Sequence, residues 1–255
     1  MKNISVLTLN CQKAYHPDLK NFIDRVLSSN MYDFILLQEV TPIVIAMITE
    51  TASSYKILNP FDSILEENTG VCVLYRDVFT PTDPLFLSFA RINQKMSPRG
   101  WGFVGGIFTL GEQSYLVGSV HLHPGLNISI RMKELRLVKE MIKGYLPKGF
   151  PIIIGGDFNV GFRRELVIAK KIFLPEFVRV TKKLGTTLNS RYTEKEPYML
   201  NKISVFLAKF GIGFTFRTDH FYLDSKTPGI LMVDCRILPD RVSDHNPVEL
   251  TLSNR

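Results

Sequence analysis

The run Ile152-Ile153-Ile154, followed by Gly155-Gly156-Asp157-Phe158-Asn159, narrows the possible folds more than any other stretch of this chain. Three β-branched residues in unbroken succession suit a strand covered on both faces, which calls for a layered sheet. The two glycines allow the backbone to turn closely, and Asp157 and Asn159 emerge at the strand's end. A second cluster, VSDHNPVEL from Val242 to Leu250, sets Ser243, Asp244 and His245 just before an alternating strand from Pro247 to Leu252. Carboxylate, amide and imidazole groups gathered at strand ends are what a metal-assisted phosphate-cleaving site needs.

Other segments share this grammar. ISVLTLN ends an alternating strand on Asn10, and DFILLQEV (Asp33 to Val40) ends a buried strand on Gln38 and Glu39. GSVHLHPG puts His121 at the end of the strand begun by Tyr115, and FTFRTDHFYLD (Phe214 to Asp224) carries Asp219 and His220 within an aromatic alternating strand. Any one cluster is ordinary turn chemistry, because Asn, Asp and Gly populate strand ends. Several together point to one site shared along a sheet edge.

In this order the motifs LTLN, LLQEV, GVCVLYR (Gly70 to Arg76), SVHLH, GGDFN, TDHFYLD and SDHNPVEL resemble the endonuclease/exonuclease/phosphatase superfamily, the DNase I-like metal-dependent phosphohydrolases. The likeness spans nearly the whole chain. It implies an α/β (α+β) fold, a four-layer sandwich of two packed, mostly antiparallel β-sheets with helices outside. It also implies a hydrolase using Mg²⁺, with Mn²⁺ as a substitute. By the same resemblance Asn10 and Glu39 are first-choice metal ligands, and Asp244 adds to the metal shell or holds a neighbouring donor. Asp157 and Asn159 orient the attacking water and the phosphate oxygens. His245 is the general base, its tautomer fixed by the carboxylate of Asp219. His121 is a second catalytic imidazole, and its presence favours branches of the family other than that of exonuclease III. His123 is a candidate substrate contact or a structural residue, and His16 and His220 have no catalytic assignment.

Length and composition fit a single catalytic domain over residues 1–255, since no low-complexity run or linker divides the chain. Cys11, Cys72 and Cys235 are widely spaced in apolar contexts and form no Cys-x-x-Cys pair, so buried reduced thiols are expected. With no apolar run suited to a secretion signal or a membrane span, a soluble intracellular (cytoplasmic) protein is the expectation.

The formal charge of +7 points to an anionic partner. Arg163, Arg164, Lys170, Lys171, Arg179, Lys182 and Lys183 crowd the segment after GGDFN, either as a cationic shoulder for a phosphate backbone or as a solvated helix face. Helices are expected over Asp18–Ser28, Thr41–Thr51 and Ile130–Leu146, the last with Met132, Leu135, Val138, Ile142 and Leu146 as its core stripe. Strands are expected at Val71–Tyr75, Phe103–Leu110, Tyr115–His121 and Gly229–Leu238.

Substrate choice falls to the stretches Phe79–Trp101 and Gly161–Tyr198. The first mixes Arg91, Lys95 and Arg99 with Trp101, suited to stacking a base, while its Pro84-Leu85-Phe86-Leu87 suits a lipid surface or a strand. Nucleic acid, DNA or RNA, is the leading substrate. The alternatives are an anionic phospholipid (sphingomyelinase-like), an inositol phosphate, or a DNA end adduct of the tyrosyl-DNA phosphodiesterase type.

Overall fold

A computed structural model describes residues 3–12, 16–51, 54–58, 70–89, 101–124, 127–160, 163–173, 176–184, 187, 218–224 and 230–254. Among these, twelve strands form two six-stranded sheets. The first has the order β11 (Ile230–Ile237), β12 (Val248–Asn254), β1 (Ile4–Asn10), β2 (Phe34–Val40), β4 (Gly70–Arg76), β3 (Tyr55–Leu58). The second runs β5 (Thr80–Ser88), β6 (Gly102–Leu110), β7 (Gln113–His121), β8 (Ile152–Asp157), β10 (Asp219–Asp224), β9 (Phe177–Arg179).

Each sheet is antiparallel except for one central pair. β1 runs parallel to β2, and β7 parallel to β8. Parallel neighbours need a crossover, and helices supply it. α1 (Leu19–Ser29) joins β1 to β2, and α3 (Ile128–Lys143) joins β7 to β8, while α2 (Pro42–Thr51) and α4 (Arg163–Phe173) follow β2 and β8. The two sheets therefore repeat one β-α-β-α theme, which no sequence repeat announces.

Burial follows from alternation along the strands. Ile4, Val6, Phe34 and Leu36 of the first sheet meet Tyr115, Val117, Ile153 and Phe221 of the second in a core between the sheets. The intervening Leu7, Leu9, Ile35 and Leu37 face Leu19, Phe22, Ile23 and Val26 of α1. Leu116, Ile152 and Ile154 face Met132, Leu135, Val138 and Ile142 of α3. β8 is covered on both sides, as its isoleucine run requires. α3 stops at Lys143, before Gly144 and Pro147, so Leu146 falls in a short 3-10 turn and is only half-buried.

One expectation needs correction. Gly155 and Gly156 do not turn the chain, because both lie inside β8. They serve close approach instead. A Cβ on Gly155 would come within 2.4 Å of the Phe221 ring, and one on Gly156 within 2.1 Å of the Val120 carbonyl, at a φ of +141°. Of the two readings of Pro84-Leu85-Phe86-Leu87, the strand is the one observed, for the segment lies in β5. Proline is tolerated there because β5 is an edge strand, with a bulge between Thr82 and Leu85.

The three cysteines are free, and burial pushes the Cys72 thiol up to about 12. Among the described residues, no helix is long and apolar enough to cross a membrane.

Candidate active site

The carboxyl ends of the parallel strands β1, β2, β7 and β8 lie together, and the polar residues that end them converge. Asn10 ends β1, His121 ends β7 and Asp157 ends β8, all three buried. Open α/β sheets bind ligands at this edge. Asn10 Nδ2 donates to Asp157 Oδ2 at 3.1 Å and to Glu39 Oε1 at 3.3 Å, bridging the sheets. His121 Nε2 stands 3.6 Å from Asp157 Oδ2 and 3.9 Å from Glu39 Oε1.

Glu39 reaches this cluster through a break in alternation. Its neighbour Gln38 already faces the opposite sheet, so a regular strand would turn Glu39 toward the helices. The pairing of β2 with β4 shifts between Leu37 and Val40, and Glu39 adopts a φ of +51°. A bulge with a left-handed residue re-aims the side chain. Asn159 and Gln12 also have left-handed backbones, φ +48° and +45°, so three non-glycine residues of this kind lie at or beside the cluster.

The second half of the site comes from β10 and the turn before β12. Asp219 opens β10 opposite Asp157 in register, and Phe214 to Arg217 lie outside the described residues. Its Oδ2 accepts from His245 Nδ1 at 2.8 Å, and Thr218 Oγ1 adds a bond to the same oxygen at 3.2 Å. His245 Nε2 then lies 3.7 Å from Asp157 Oδ2 and 3.9 Å from Asp244 Oδ1. Burial alone would depress the pKa of His245. The charges of Asp219, Asp157 and Asp244 outweigh it and hold the imidazole well above its ordinary range.

All eight residues singled out in the sequence lie along this edge, though not all touch. Asn159 braces Asp157, its backbone N–H bonding Oδ1 at 2.9 Å and its amide bonding Oδ2 at 3.3 Å and the Leu122 carbonyl at 2.9 Å. Asp244 is linked to Asn10 through Gln12, whose N–H meets Asn10 Oδ1 at 3.0 Å and whose Oε1 accepts from the Asp244 N–H at 3.2 Å. Gln12 and Thr187 escaped the sequence reading. Thr187 Oγ1 accepts from the N–H groups of both Thr218 and Asp219, at 3.0 and 3.2 Å, yet it sits where no periodic pattern marks it.

His123 is held by packing and a backbone hydrogen bond. It is buried against Trp101, ring centroids 4.5 Å apart, with its N–H on Glu134 Oε2, and burial lowers its pKa. His220 is a strut between Thr181 Oγ1 and the Val160 carbonyl, both at 3.0 Å. His16 Nδ1 accepts from the Asp18 N–H at 3.1 Å. Arg91, Lys95 and Arg99 lie outside the described residues.

The donor set suits a divalent cation. Glu39 and Asp157 aim carboxylate oxygens at a single amide, and the buried Asp219 Oδ1 has no hydrogen-bond partner. Asp157, Asp219 and His245 also form a trio with ligand atoms within 4.8 Å of one another. Of the two groupings, the carboxylates of Glu39 and Asp157 match a hard, oxygen-seeking cation better, because Asp219 and His245 already occupy each other; Asn10 turns its amide nitrogen to these carboxylates and its Oδ1 to the Gln12 N–H.

The model of the Endonuclease/Exonuclease/phosphatase family matches residues 7–245. Among solved structures, TDP2 of D. rerio complexed with single strand DNA product superposes with a TM-score of 0.79 at 16% identity, covering 100% of both chains. Mannosyl-6-phosphatase Bt3783 of Bacteroides thetaiotaomicron superposes with a TM-score of 0.73 at 17% identity, covering 98% of this chain and 99% of its own. Truncated TDP2 of Caenorhabditis elegans gives 0.72 at 15% identity, covering 98% of this chain and 97% of its own. At these identities the likeness speaks for the fold. No match is found among curated proteins.

Proposed function

Because the chain belongs to the Endonuclease/Exonuclease/phosphatase family, whose members are phosphoester hydrolases, we propose that it is a Mg²⁺-dependent phosphodiesterase that cleaves nucleic-acid backbones by His-assisted attack of water. The observation that carries this reading is the meeting of Asn10, Glu39, His121 and Asp157 with the Asp219–His245 pair at one strand edge.

Glu39 and Asp157 would hold the cation, with Asn10 contributing Oδ1 once its amide turns and Asp244 at the margin. When bound, Mg²⁺ supplies positive charge that offsets the phosphate oxygens and part of the carboxylate field. His245 carries the proton chemistry. Asp219 keeps the Nδ1–H in place, so Nε2 faces Asp157 and accepts the proton of the attacking water. The carboxylates of Asp219, Asp157 and Asp244 favour the charged imidazole, a pull that a bound cation would offset. His121 donates at Nε2 to a phosphate oxygen or to the leaving group. Asn159 keeps the Asp157 carboxylate in place beside the cation site.

Charge favours a polynucleotide. Lys133, Arg136 and Lys143 of α3 and Lys170 and Lys171 of α4 are exposed, with Glu140 the one exposed acid among the described residues of these two helices. They give the outer layer beside β7 and β8 a net positive face that would attract a phosphate backbone at long range. The bound product in the D. rerio TDP2 structure is consistent with this substrate class for the fold.

The test is supercoiled plasmid and single-stranded DNA and RNA with Mg²⁺ or Mn²⁺, against EDTA and against His245→Ala. Metal-dependent cleavage that is lost in the variant supports the reading. Intact polynucleotides beside turnover of a sphingomyelin, inositol phosphate or sugar phosphate would overturn the choice of substrate.

A further inference from the structure

Directly beneath the site, the apolar core between the sheets gives way to a small polar knot. Along β1 the inward row is Ile4, Val6, Thr8, Asn10; along β2 it is Phe34, Leu36, Gln38; along β7 it is Tyr115, Val117, Ser119, His121. Each strand thus carries one buried polar residue just before its site residue. Thr8, Gln38 and Ser119 are all fully buried.

Their bonds form a closed set. Gln38 Nε2 donates across the sheet interface to Ser119 Oγ at 2.9 Å and within its own sheet to Thr8 Oγ1 at 3.2 Å, with the Leu36 carbonyl at 3.1 Å. Ser119 Oγ donates onward to the Leu37 carbonyl at 3.3 Å, and Thr8 Oγ1 to the Leu36 carbonyl at 3.2 Å. Burying an amide in an apolar interface is costly unless it is satisfied, and a satisfied network in low dielectric rigidifies what it joins.

The carbonyls of Leu36 and Leu37 lie at the start of the β2 irregularity, and Glu39 with its φ of +51° lies within it. A left-handed glutamate persists only where its surroundings hold it. We infer that Gln38, tied to Thr8 and Ser119, is a positioning residue that holds the β2 bulge and aims Glu39 at the cation, while fixing the spacing of Asn10 and His121 across the two sheets. Hydrophobic attraction is not directional, whereas a hydrogen bond from Gln38 to Ser119 fixes both a distance and an angle across the two sheets.

This inference rests on the reading of Glu39 as a cation ligand, and the experiment separates the two. Gln38→Met keeps volume and removes the donor, and Ser119→Ala removes the cross-sheet acceptor with little change in shape. Mn²⁺ binding to the substrate-free protein is measured by calorimetry, beside kcat, KM and the melting temperature, for these variants, their double variant and Glu39→Ala. The expected result is folded protein with cation affinity weakened about tenfold or more in each variant, kcat lowered and KM for substrate little changed. The double variant should cost no more than the worse single one, since both break one link. Undiminished cation affinity and kcat in folded Ser119→Ala and Gln38→Met, with Glu39→Ala defective, would overturn the positioning role alone. Undiminished binding in Glu39→Ala would overturn the cation assignment, and the inference with it.

Discussion

Asp219 Oδ2 and His245 Nδ1 are 2.8 Å apart, with both side chains buried, so the carboxylate fixes which imidazole nitrogen faces Asp157. Asp219→Asn preserves shape but removes the charge and permits the wrong tautomer. The expected outcome is a fall in kcat of roughly 10²–10⁴, KM little altered and stability retained. Steady-state kinetics on a cleaved polynucleotide, paired with a melting curve, is the check. A wild-type kcat would remove His245 from the proton transfer.

Glu39 and Asp157 crowd two carboxylates around one amide of Asn10. Chelation of the metal should therefore abolish turnover without unfolding the protein. Glu39→Ala should raise the Mg²⁺ concentration for half-maximal rate by at least about tenfold, because changing even the outer partners of a ligand costs that much. Rate against free Mg²⁺ for both proteins reads this directly, and superimposed curves would count against Glu39 as a ligand.

The motif-bearing residues of this site were legible because each is short-range chemistry, a polar residue at the end of an apolar strand. Asn10, His121 and Asp157 follow that rule in the structure. The aim of Glu39 was not legible. It depends on a register shift against β4, a property of two strands at once. Gln12 and Thr187 act through backbone N–H groups far away in sequence, which no local pattern records. The edge strand β5 was legible only as one of two readings of Pro84-Leu85-Phe86-Leu87, since its edge position, which lets it carry Pro81 and Pro84, is a property of the whole sheet.

Gly156 sits where β7 and β8 pair, opposite Val120 in register. A methyl group there would approach the Val120 carbonyl to 2.1 Å, from a φ of +141° that L-residues rarely adopt. Gly156→Ala should destabilise the fold by about 3 kcal/mol or more, as strain and clash coincide. It should also displace Asp157, the next residue. Chemical denaturation measures the first effect, and loss of activity at temperatures where the variant remains folded measures the second.

Glu134 links stability to pH from outside the reacting edge. It is fully buried on α3, accepts the His123 N–H at 2.8 Å through Oε2, and leaves Oε1 without a hydrogen-bond partner. Burial raises its pKa to about 7, against the lesser downward pulls of that hydrogen bond and of Arg131. The folded state thus keeps a proton that the unfolded chain releases near its ordinary value of 4.5. Its contribution is fully present below pH 4.5, declines as pH rises toward 7, and is lost above that. The total loss is on the order of 3 kcal/mol. Glu134→Gln cannot ionise, so its unfolding free energy should fall less than that of the wild type between pH 5 and pH 8. Urea unfolding at both pH values tests the sign. Parallel pH profiles would mean that Glu134 titrates normally in the folded protein, and that the His123 N–H and Arg131 offset the cost of its burial.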